Sequence, residues 1–307
     1  MLVVAAIGGN ALLRRGEPLT AETQRANVKV AAQALAEIVR AGHRLIVTHG
    51  NGPQVGLLAL QGAAYKPDEA YPLDVLGAET EGMIGYLIEQ ELENALGHDH
   101  AVATLLTQVV VDPKDTAFQT PTKPVGPIYS RSEAEARAKA AGWSIAQDGD
   151  HWRRVVSSPK PVEIPDLRVL RLLLDQGVTV ICAGGGGIPV MRRADGAMIG
   201  VEAVIDKDAA SALLAADIGA DALLLLTDVD AVYKNFGAEG AAPIATLTSD
   251  EGRAMDLPAG SMGPKLTAAC DFAEAGGLAG IGRLRDAVHI LSGSAGTQVV
   301  QLDRGET

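Results

Sequence analysis

The sequence contains only two cysteines in 307 residues, Cys182 and Cys270. Disulfide frameworks belong to oxidising compartments, and cysteines outside them are usually reduced and buried. We therefore expect two buried thiols in a cytoplasmic protein, although a single disulfide between them is also compatible with the sequence.

Long apolar runs are missing as well. A membrane-spanning helix needs about 18 or more consecutive apolar residues, and no stretch of this sequence approaches that length. The apolar run at residues 2–7 has no basic segment before it and is too short for a signal peptide. The sequence therefore predicts neither a membrane span nor a secretory leader.

Positive charge is scarce overall. The chain has 26 Lys and Arg against 38 Asp and Glu, and its net charge is −12. Nucleic acids and anionic membranes are therefore poor partners for the surface as a whole. A protein of this charge that binds a polyanionic substrate must concentrate its cations at one site.

Hydrophobic residues make up 47% of the chain, which is enough for one large domain or two lobes. Short apolar runs alternate with helical segments along most of its length. This pattern predicts an α/β fold with a mostly parallel sheet covered on both faces. Ligands of such sheets bind at the carboxyl ends of the strands, and glycine-rich loops follow several of the predicted strands here.

The clearest candidate site lies between residues 178 and 216. A predicted buried strand runs into four glycines at 184–187, and about twenty residues later Asp206, Lys207 and Asp208 open a predicted helix. Either aspartate alone is typical of a helix cap. Glycine backbone, a helix N-terminus and a lysine together favour a phosphate site.

Residues 116–158 break the alternation and are predicted to form an insertion on the main body. Ser132 and Glu135 have the spacing of a capping box, and segments 143–146 and 151–156 resemble a β-hairpin. Residues 114–160 hold eight Lys and Arg against five Asp and Glu, so this segment carries +3 and the rest of the chain −15. The insertion is equally consistent with a solvated surface and with a lid over an anionic ligand.

The glycine pattern at residues 50–56 is a near-match to a dinucleotide-binding fingerprint. That fingerprint also needs an acidic residue at the end of the next strand, and a proline-containing loop and a helix follow here instead. No Walker A motif is present either. A nicotinamide-binding domain is therefore disfavoured.

Three lysines in these segments together suit phosphoryl transfer. Lys207 and Lys265 lie at predicted helix starts, and Lys123 lies in the insertion. Any one of them alone is more typical of a solvated surface. A transferring phosphoryl group, however, needs positioning and charge neutralisation more than covalent chemistry.

Taken together, these motifs resemble those of the carbamate kinases, within the amino-acid kinase family. The resemblance extends from residue 1 to about residue 300. It rests on the segments GGNAL at 8–12, THGNGPQVG at 48–56, TQVVVDP at 107–113, PTKPVGP at 121–127, GGGGIP at 184–189, VEAVIDKD at 201–208, LTDVD at 226–230 and GSMGPK at 260–265. The second and fourth segments are the ones typical of carbamate kinases.

The resemblance implies an open three-layer αβα sandwich with two lobes, residues 1–206 for carbamate and the phosphoryl group and residues 207–307 for the nucleotide. It implies reversible transfer between ATP and carbamate, giving ADP and carbamoyl phosphate, with Mg²⁺. It also implies a cytoplasmic homodimer that serves ATP synthesis in arginine catabolism. No protein side chain is assigned as a metal ligand.

The resemblance also assigns roles to individual residues. In the catalytic set, Asn10 is expected to hold the transferring phosphoryl group, and Lys207 and Lys265 are expected to neutralise the phosphates. Asp208 is expected to orient the lysines, and Lys123 to reach in from the insertion. The substrate set, expected to border the carbamate and phosphoryl pocket, is Gly8, Gly9, Gly50, Asn51 and Gly52. The set expected along the nucleotide is Thr227, Asp228, Tyr233 and Met262. Because carbamate is already an anion, no histidine needs to act as a general base.

Two alternatives remain open from the sequence. Another amino-acid kinase, acting on acetylglutamate or UMP, would share the glycine loops but lack the insertion that carries Lys123. A non-catalytic relative would bind ATP without turnover, which the presence of Lys207, Asp208 and Lys265 disfavours.

Overall fold

The structure, a computed structural model, describes residues 1–14, 16–66, 69–237, 240–257 and 262–301, with the side chain of Asn10 outside the described part. Its helices are α1 (Ala21–Arg40), α2 (Gly52–Tyr65), α3 (Leu73–Leu96), α4 (Arg131–Ala141), α5 (Leu167–Asp175), α6 (Lys207–Ile218), α7 (Ser249–Ala254), α8 (Met262–Glu274) and α9 (Ala287–Leu291). Its strands are β1 (Leu2–Ile7), β2 (Arg44–His49), β3 (Val102–Thr104), β4 (Gln108–Val111), β5 (Lys123–Tyr129), β6 (Ser144–Asp148), β7 (His151–Val156), β8 (Pro161–Glu163), β9 (Thr179–Ile181), β10 (Ile188–Arg192), β11 (Met198–Gly200), β12 (Ala222–Thr227), β13 (Val232–Lys234), β14 (Ala242–Ile244), β15 (Thr246–Thr248), β16 (Leu278–Arg283) and β17 (Thr297–Val300).

The main sheet has eight strands in the order β15-β17-β16-β12-β1-β2-β9-β3. In this order, every adjacent pair of strands between β16 and β3 is parallel, while β17 runs antiparallel to β16. Smaller sheets are β11-β10-β4-β8, the pair β13-β14, and β5-β7-β6 in the insertion. The predicted α/β fold with a mostly parallel sheet is therefore confirmed.

Strand β1 shows why the sheet needs helices on both faces. Its six residues are all buried, and they alternate between two cores. Val4 and Ala6 pack into the core that includes residues of α5, α6 and α8. Val3, Ala5 and Ile7 pack into the core that includes residues of α1 and α3. A strand that is apolar at every position is thus buried on both sides, as in other parallel sheets.

The insertion folds as a three-stranded antiparallel sheet with α4 beside it. The predicted hairpin is confirmed, with Asp148 opposite His151. The predicted capping box is wrong by two residues, because Ser130 and Glu133 cap α4 rather than Ser132 and Glu135.

Much of the insertion's positive charge is used within the insertion. Arginine guanidinium groups lie 4.9–5.5 Å from the ring centres of its aromatic residues, in the pairs Arg131–Trp152, Arg137–Tyr129 and Arg154–Trp143. Such cation–π contacts stabilise a small sheet that has little core of its own. Three arginines of the insertion are therefore held against its own aromatic rings.

The insertion sits directly on α2. Val125 and Val156 of the insertion share a small apolar cluster with Val55, Leu73 and Leu76 of the body. At the closest point two glycines face each other: a Cβ added to Gly56 would lie 2.1 Å from the Cα of Gly126. Only a residue without a side chain allows the backbones to approach this closely.

Gly56→Ala is therefore expected to destabilise the protein by about 1–3 kcal/mol, since overpacking forces the insertion away from α2. Gly77→Ala is the matched control, because Gly77 lies in α3 with nothing within 4 Å of an added Cβ. Alanine there should stabilise the helix by about 0.5–1 kcal/mol. Thermal unfolding of both variants makes the comparison, and equal stability of the two would contradict the tight contact.

Cys182 and Cys270 are both free and buried, as predicted. Within the described residues, helices are either too short or too polar to cross a membrane.

Candidate active site

The glycine loops lie side by side at the carboxyl edge of the main sheet. The Gly8 N–H donates to the Leu226 carbonyl at the end of β12, at 3.0 Å. The Gly50 N–H donates to the Ile7 carbonyl at the end of β1, at 3.2 Å, and an added Cβ on Gly50 would lie 3.2 Å from the Gly9 nitrogen. Parallel strands end at one edge, so loops distant in sequence surround one cleft.

The third loop, residues 184–187, closes the cleft from the side of β9. Gly185 and Gly186 have φ values of +67° and +100°, which favour glycine. A Cβ on Gly185 would lie 2.1 Å from the Asn51 amide, and one on Gly186 would lie 2.5 Å from the Ile205 carbonyl oxygen. The loop is therefore held between the buried Asn51 and the residue that precedes Asp206.

A buried carboxyl group supports this loop from below. Glu81 of α3 is fully buried, and its carboxylate oxygens accept the Gly184 N–H at 2.7 Å and the Thr107 N–H at 3.1 Å. Burial raises the pKa of Glu81 to about 8, although the two backbone N–H groups oppose that rise. Glu81 could not be identified from the sequence, because an acidic residue within a helix usually faces solvent.

His49 lies against the same loop. A Cβ on Gly184 would lie 2.4 Å from its ring, and its Nδ1 contacts the Gly50 carbonyl at 3.1 Å. Its Nε2 has no hydrogen-bond partner among the described residues. Burial lowers the pKa of His49 to about 4, and the charge of Lys207 acts in the same direction. The imidazole is therefore neutral at pH 7 and adds no positive charge to the cleft.

Helix α6 begins with the charged cluster. Asp206 is its N-cap, and Oδ1 of Asp206 accepts the N–H groups of Asp208 at 2.9 Å and Ala209 at 3.1 Å. Lys207 Nζ donates to Asp208 Oδ1 at 2.6 Å, and Lys265 Nζ donates to Asp208 Oδ2 at 2.8 Å. One carboxylate thus joins lysines from the first turns of α6 and α8.

Burial and the neighbouring charges shift the pKa values of Asp208 and Lys207. Burial alone would raise the pKa of the Asp208 carboxyl, but the two ammonium groups beside it outweigh that effect and hold its pKa well below the usual range. Burial lowers the pKa of Lys207 to about 8; the negative charge of Asp208 opposes this shift, and the positive charge of Lys265 adds to it. Asp208 is thus ionised and Lys207 is the group that titrates near neutrality.

Lys123 reaches this cluster from the insertion. Its Nζ donates to Asp206 Oδ2 at 2.5 Å. Three lysines and two aspartates therefore meet with a net charge of +1 when all are ionised. Each ammonium group has three N–H donors and makes one hydrogen bond within the described part of the chain. The remaining donors are available to the oxygens of a phosphoryl group.

The predicted nucleotide residues lie at and after the end of β12 and at the start of α8. Thr227 Oγ1 donates to Asp228 Oδ1 at 3.0 Å, and the Tyr233 hydroxyl donates to both oxygens of Asp230 at 3.1 Å. Met262, at the start of α8, packs against the core. A cavity of about 370 Å³ opens nearby, lined by residues that include Asp230, Ile244 and Arg283.

Comparison with known proteins identifies the family. The family model described as the amino acid kinase family matches residues 1–281. The chain belongs to the amino acid kinase family. It is 57% identical to the carbamate kinase of Rhizobium meliloti (strain 1021), over 97% of this chain and 92% of that protein. It is 52% identical to the carbamate kinase of Haemophilus influenzae, over 99% and 98% of the two chains.

A solved structure of this family has the same fold. The carbamate kinase from Giardia lamblia bound to AMP-PNP is 41% identical, with a TM-score of 0.89 and coverage of 98% of both chains. Coverage of 98% of both chains includes the insertion at residues 116–158. The family predicted from the sequence motifs is thus confirmed.

The structure brings together most, though not all, of the predicted site residues. Lys123, Lys207, Asp208 and Lys265 lie in one connected cluster, and Gly8, Gly9, Gly50 and Asn51 lie in adjoining loops. Gly52 starts α2 directly after them. The side chain of Asn10 lies outside the described part, so its predicted contact with the phosphoryl group stays a prediction.

Proposed function

We propose that the chain catalyses reversible phosphoryl transfer between ATP and carbamate, giving ADP and carbamoyl phosphate. The observation that carries this proposal is the cluster in which Lys207 and Lys265 share Asp208, beside a glycine loop. Lys123 of the insertion joins this cluster through Asp206. The relatives named carbamate kinase, matched over nearly their full length, support it.

The chemistry follows from charge. Carbamate is an anion and the terminal phosphate of ATP is a polyanion, and two unit charges at 4 Å repel by about 4 kcal/mol at an effective dielectric constant near 20. Lys207, Lys265 and Lys123 are placed to offset that repulsion as charge shifts to the leaving oxygen. The backbone of Gly8 and Gly9, beside Gly50 at the carboxyl edge of the sheet, is proposed to hold the transferring group. No general base is required, which agrees with a neutral, buried His49.

Mg²⁺ is proposed to arrive with the nucleotide. Within the described residues, no group of three or more His, Cys, Asp or Glu side chains is arranged to hold a metal ion. Mg²⁺ typically binds substrate phosphates, waters and one or two carboxylates rather than a protein cage. Its chemistry here would be to neutralise charge on the phosphate oxygens.

The insertion is proposed to act as a lid that brings Lys123 to the phosphoryl group and keeps water from carbamate, which decomposes in water. The lobe boundary at residues 206 and 207, the roles of Thr227, Asp228, Tyr233 and Met262 along the nucleotide, the homodimer, the cytoplasmic location and the use in arginine catabolism are proposed from the family resemblance. Light scattering of the purified chain tests the dimer.

A coupled assay for ATP formed from ADP, Mg²⁺ and carbamoyl phosphate tests the proposed activity. We expect turnover that depends on all three. Lack of turnover together with phosphorylation of acetylglutamate or UMP would instead assign another amino-acid kinase activity. ATP binding without any turnover would indicate a non-catalytic relative.

The pH dependence of this reaction is a further prediction. Lys207 has a pKa of about 8 in the free protein, below its usual 10.5, and its ammonium form is the one that neutralises phosphate. We expect kcat/KM to fall as pH rises through about 8. The fall in kcat should come at higher pH, because bound phosphate favours the ammonium form. Activity that stays constant from pH 7 to 9 would contradict this role.

Alkaline unfolding driven by the titration of Lys207 cannot account for the expected fall in kcat/KM. Because the pKa is lower in the folded state, the unfolded chain binds more protons between pH 8 and 10.5. The contribution of Lys207 to stability therefore increases with pH across this window. A thermal-unfolding series at the same pH values separates the two effects.

A further inference from the structure

The two carboxylate oxygens of Asp206 have different partners. Oδ1 accepts two backbone N–H groups and caps α6, at 2.9 Å from Asp208 N and 3.1 Å from Ala209 N. Oδ2 faces the insertion and accepts the ammonium group of Lys123 at 2.5 Å. Helix capping needs only the first oxygen, so capping alone does not account for the second contact.

We infer that Asp206 is a positioning residue, which fixes the insertion's Lys123 beside the start of α6 before substrate binds. This inference rests on the proposed phosphoryl transfer and adds to it a residue that acts through Lys123. Asp206 connects the insertion to the helix that carries Lys207 and Asp208, 83 residues away from Lys123 in sequence.

The contact leaves Lys123 able to act. One N–H of its ammonium group is used by Asp206, and two remain. The side chains of Lys123 and Asp206 are 34% and 25% exposed, so the pair lies at an accessible rim rather than in the core. Lys123 therefore need not leave Asp206 in order to donate to a phosphoryl oxygen.

Anchoring also matters because lysine is flexible. A free lysine side chain samples many rotamers, and that freedom must be lost when its ammonium group is fixed in the transition state. Apolar contacts of Val125 and Val156 locate the insertion on α2, but they do not orient the end of the Lys123 side chain. Asp206 supplies that orientation in advance.

Asp206→Asn separates the two roles of this residue. Asparagine is as good a helix cap as aspartate, so its side-chain oxygen retains the bonds to the backbone of α6. The amide NH₂ then replaces Oδ2 and cannot accept a hydrogen bond from Lys123. Asp206→Ser, which also caps the helix but has no second group, is the companion variant and should behave in the same way.

A double-mutant cycle measures the coupling. We expect Asp206→Asn to lower kcat by about tenfold while the KM for ADP changes less than about threefold, because a misplaced cation weakens transition-state rather than ground-state contacts. Lys123→Ala should lower kcat further, with turnover affected more than nucleotide affinity. The double variant should be no worse than Lys123→Ala, since Asp206 acts through that lysine. Additive losses in the cycle would overturn the inference.

A second measurement does not depend on the activity. Acetylation of lysines by an activated acetyl ester, followed by mass spectrometry, reports how freely each amine reacts. In Asp206→Asn we expect Lys123 to react at least about threefold faster, while exposed Lys29 on α1 keeps its rate. An unchanged Lys123 rate would overturn the inference. If the unmodified protein lacks the proposed activity, only the proposed function fails, and the labelling result alone decides whether Asp206 holds Lys123.

Discussion

Asp208→Asn is expected to lower kcat by about 10³-fold, at the upper end of the loss caused by removing one electrostatic group from an active site. Asp208 accepts hydrogen bonds from Lys207 and Lys265, at 2.6 and 2.8 Å, within a buried cluster. An amide in its place can accept from only one of these lysines and presents a donor to the other. The other lysine would then lose its fixed position, and neither lysine would be paired with a negative charge.

The same variant should shift the pH profile. The negative charge of Asp208 favours the ammonium form of Lys207 and opposes the lowering of its pKa by burial. Without that charge the pKa of Lys207 falls below about 8, so the alkaline decrease in kcat/KM should move to lower pH. Steady-state rates from pH 6 to 9, in the direction of ATP formation, measure this shift.

Asp175→Asn, at an exposed position of α5, is the control for Asp208→Asn, because it removes an equal charge away from the cleft. It should leave both kcat and the pH profile unchanged. A uniform loss of rate in Asp208→Asn, with no displacement of the alkaline limb, would show that Asp208 does not act through Lys207.

Lys265→Ala is expected to lower kcat by at least ~10²-fold. Its ammonium group approaches Asp208 from α8, and its side chain is only 13% exposed, so solvent cannot substitute for its charge. Lys207 remains paired with Asp208 in this variant, which keeps the cleft formed. Assays at saturating ADP and carbamoyl phosphate isolate the effect on turnover.

Lys29→Ala provides the matched control for Lys265→Ala, since Lys29 is an exposed lysine of α1. It should be fully active. Thermal unfolding of both proteins verifies that the fold is retained. Turnover of Lys265→Ala close to that of the unmodified protein would remove this lysine from the mechanism.

Much of the fold could be predicted from local patterns. Short apolar runs mark β1, β2 and β12, and Thr20 caps α1 by accepting the Thr23 N–H. Glycine loops after parallel strands predicted that the loops meet, because strand direction alone brings their ends to one edge. These features depend on neighbouring residues and on a general property of parallel sheets.

The capping box of α4 shows the limit of a spacing rule. Ser130 with Glu133 and Ser132 with Glu135 have the same spacing, and the pattern cannot choose between them. The structure chooses the first pair, which also places Ala134 in a buried position and leaves Glu135 to pair with Arg131. Tertiary packing therefore decides between two starts that are equivalent in sequence.

Glu81 and the second oxygen of Asp206 could not be found from the sequence for a related reason. Glu81 is recognised only by its partners Thr107 and Gly184, which are distant along the chain. Helix capping is one interpretation of Asp206 or Asp208, and Asp206 is the cap, but its contact with Lys123 depends on how the insertion sits on α2. Long-range contacts of this kind leave no periodic signal.

The location of the aromatic residues has a practical consequence. Trp143 and Trp152 are the two tryptophans of the chain, and both lie in the insertion. Trp143 also lines the apolar seam against α2. Tryptophan fluorescence of the unmodified protein, excited selectively over the tyrosines, therefore originates in the insertion alone. Stopped-flow emission can then test whether the insertion moves before the chemical step, without any attached dye.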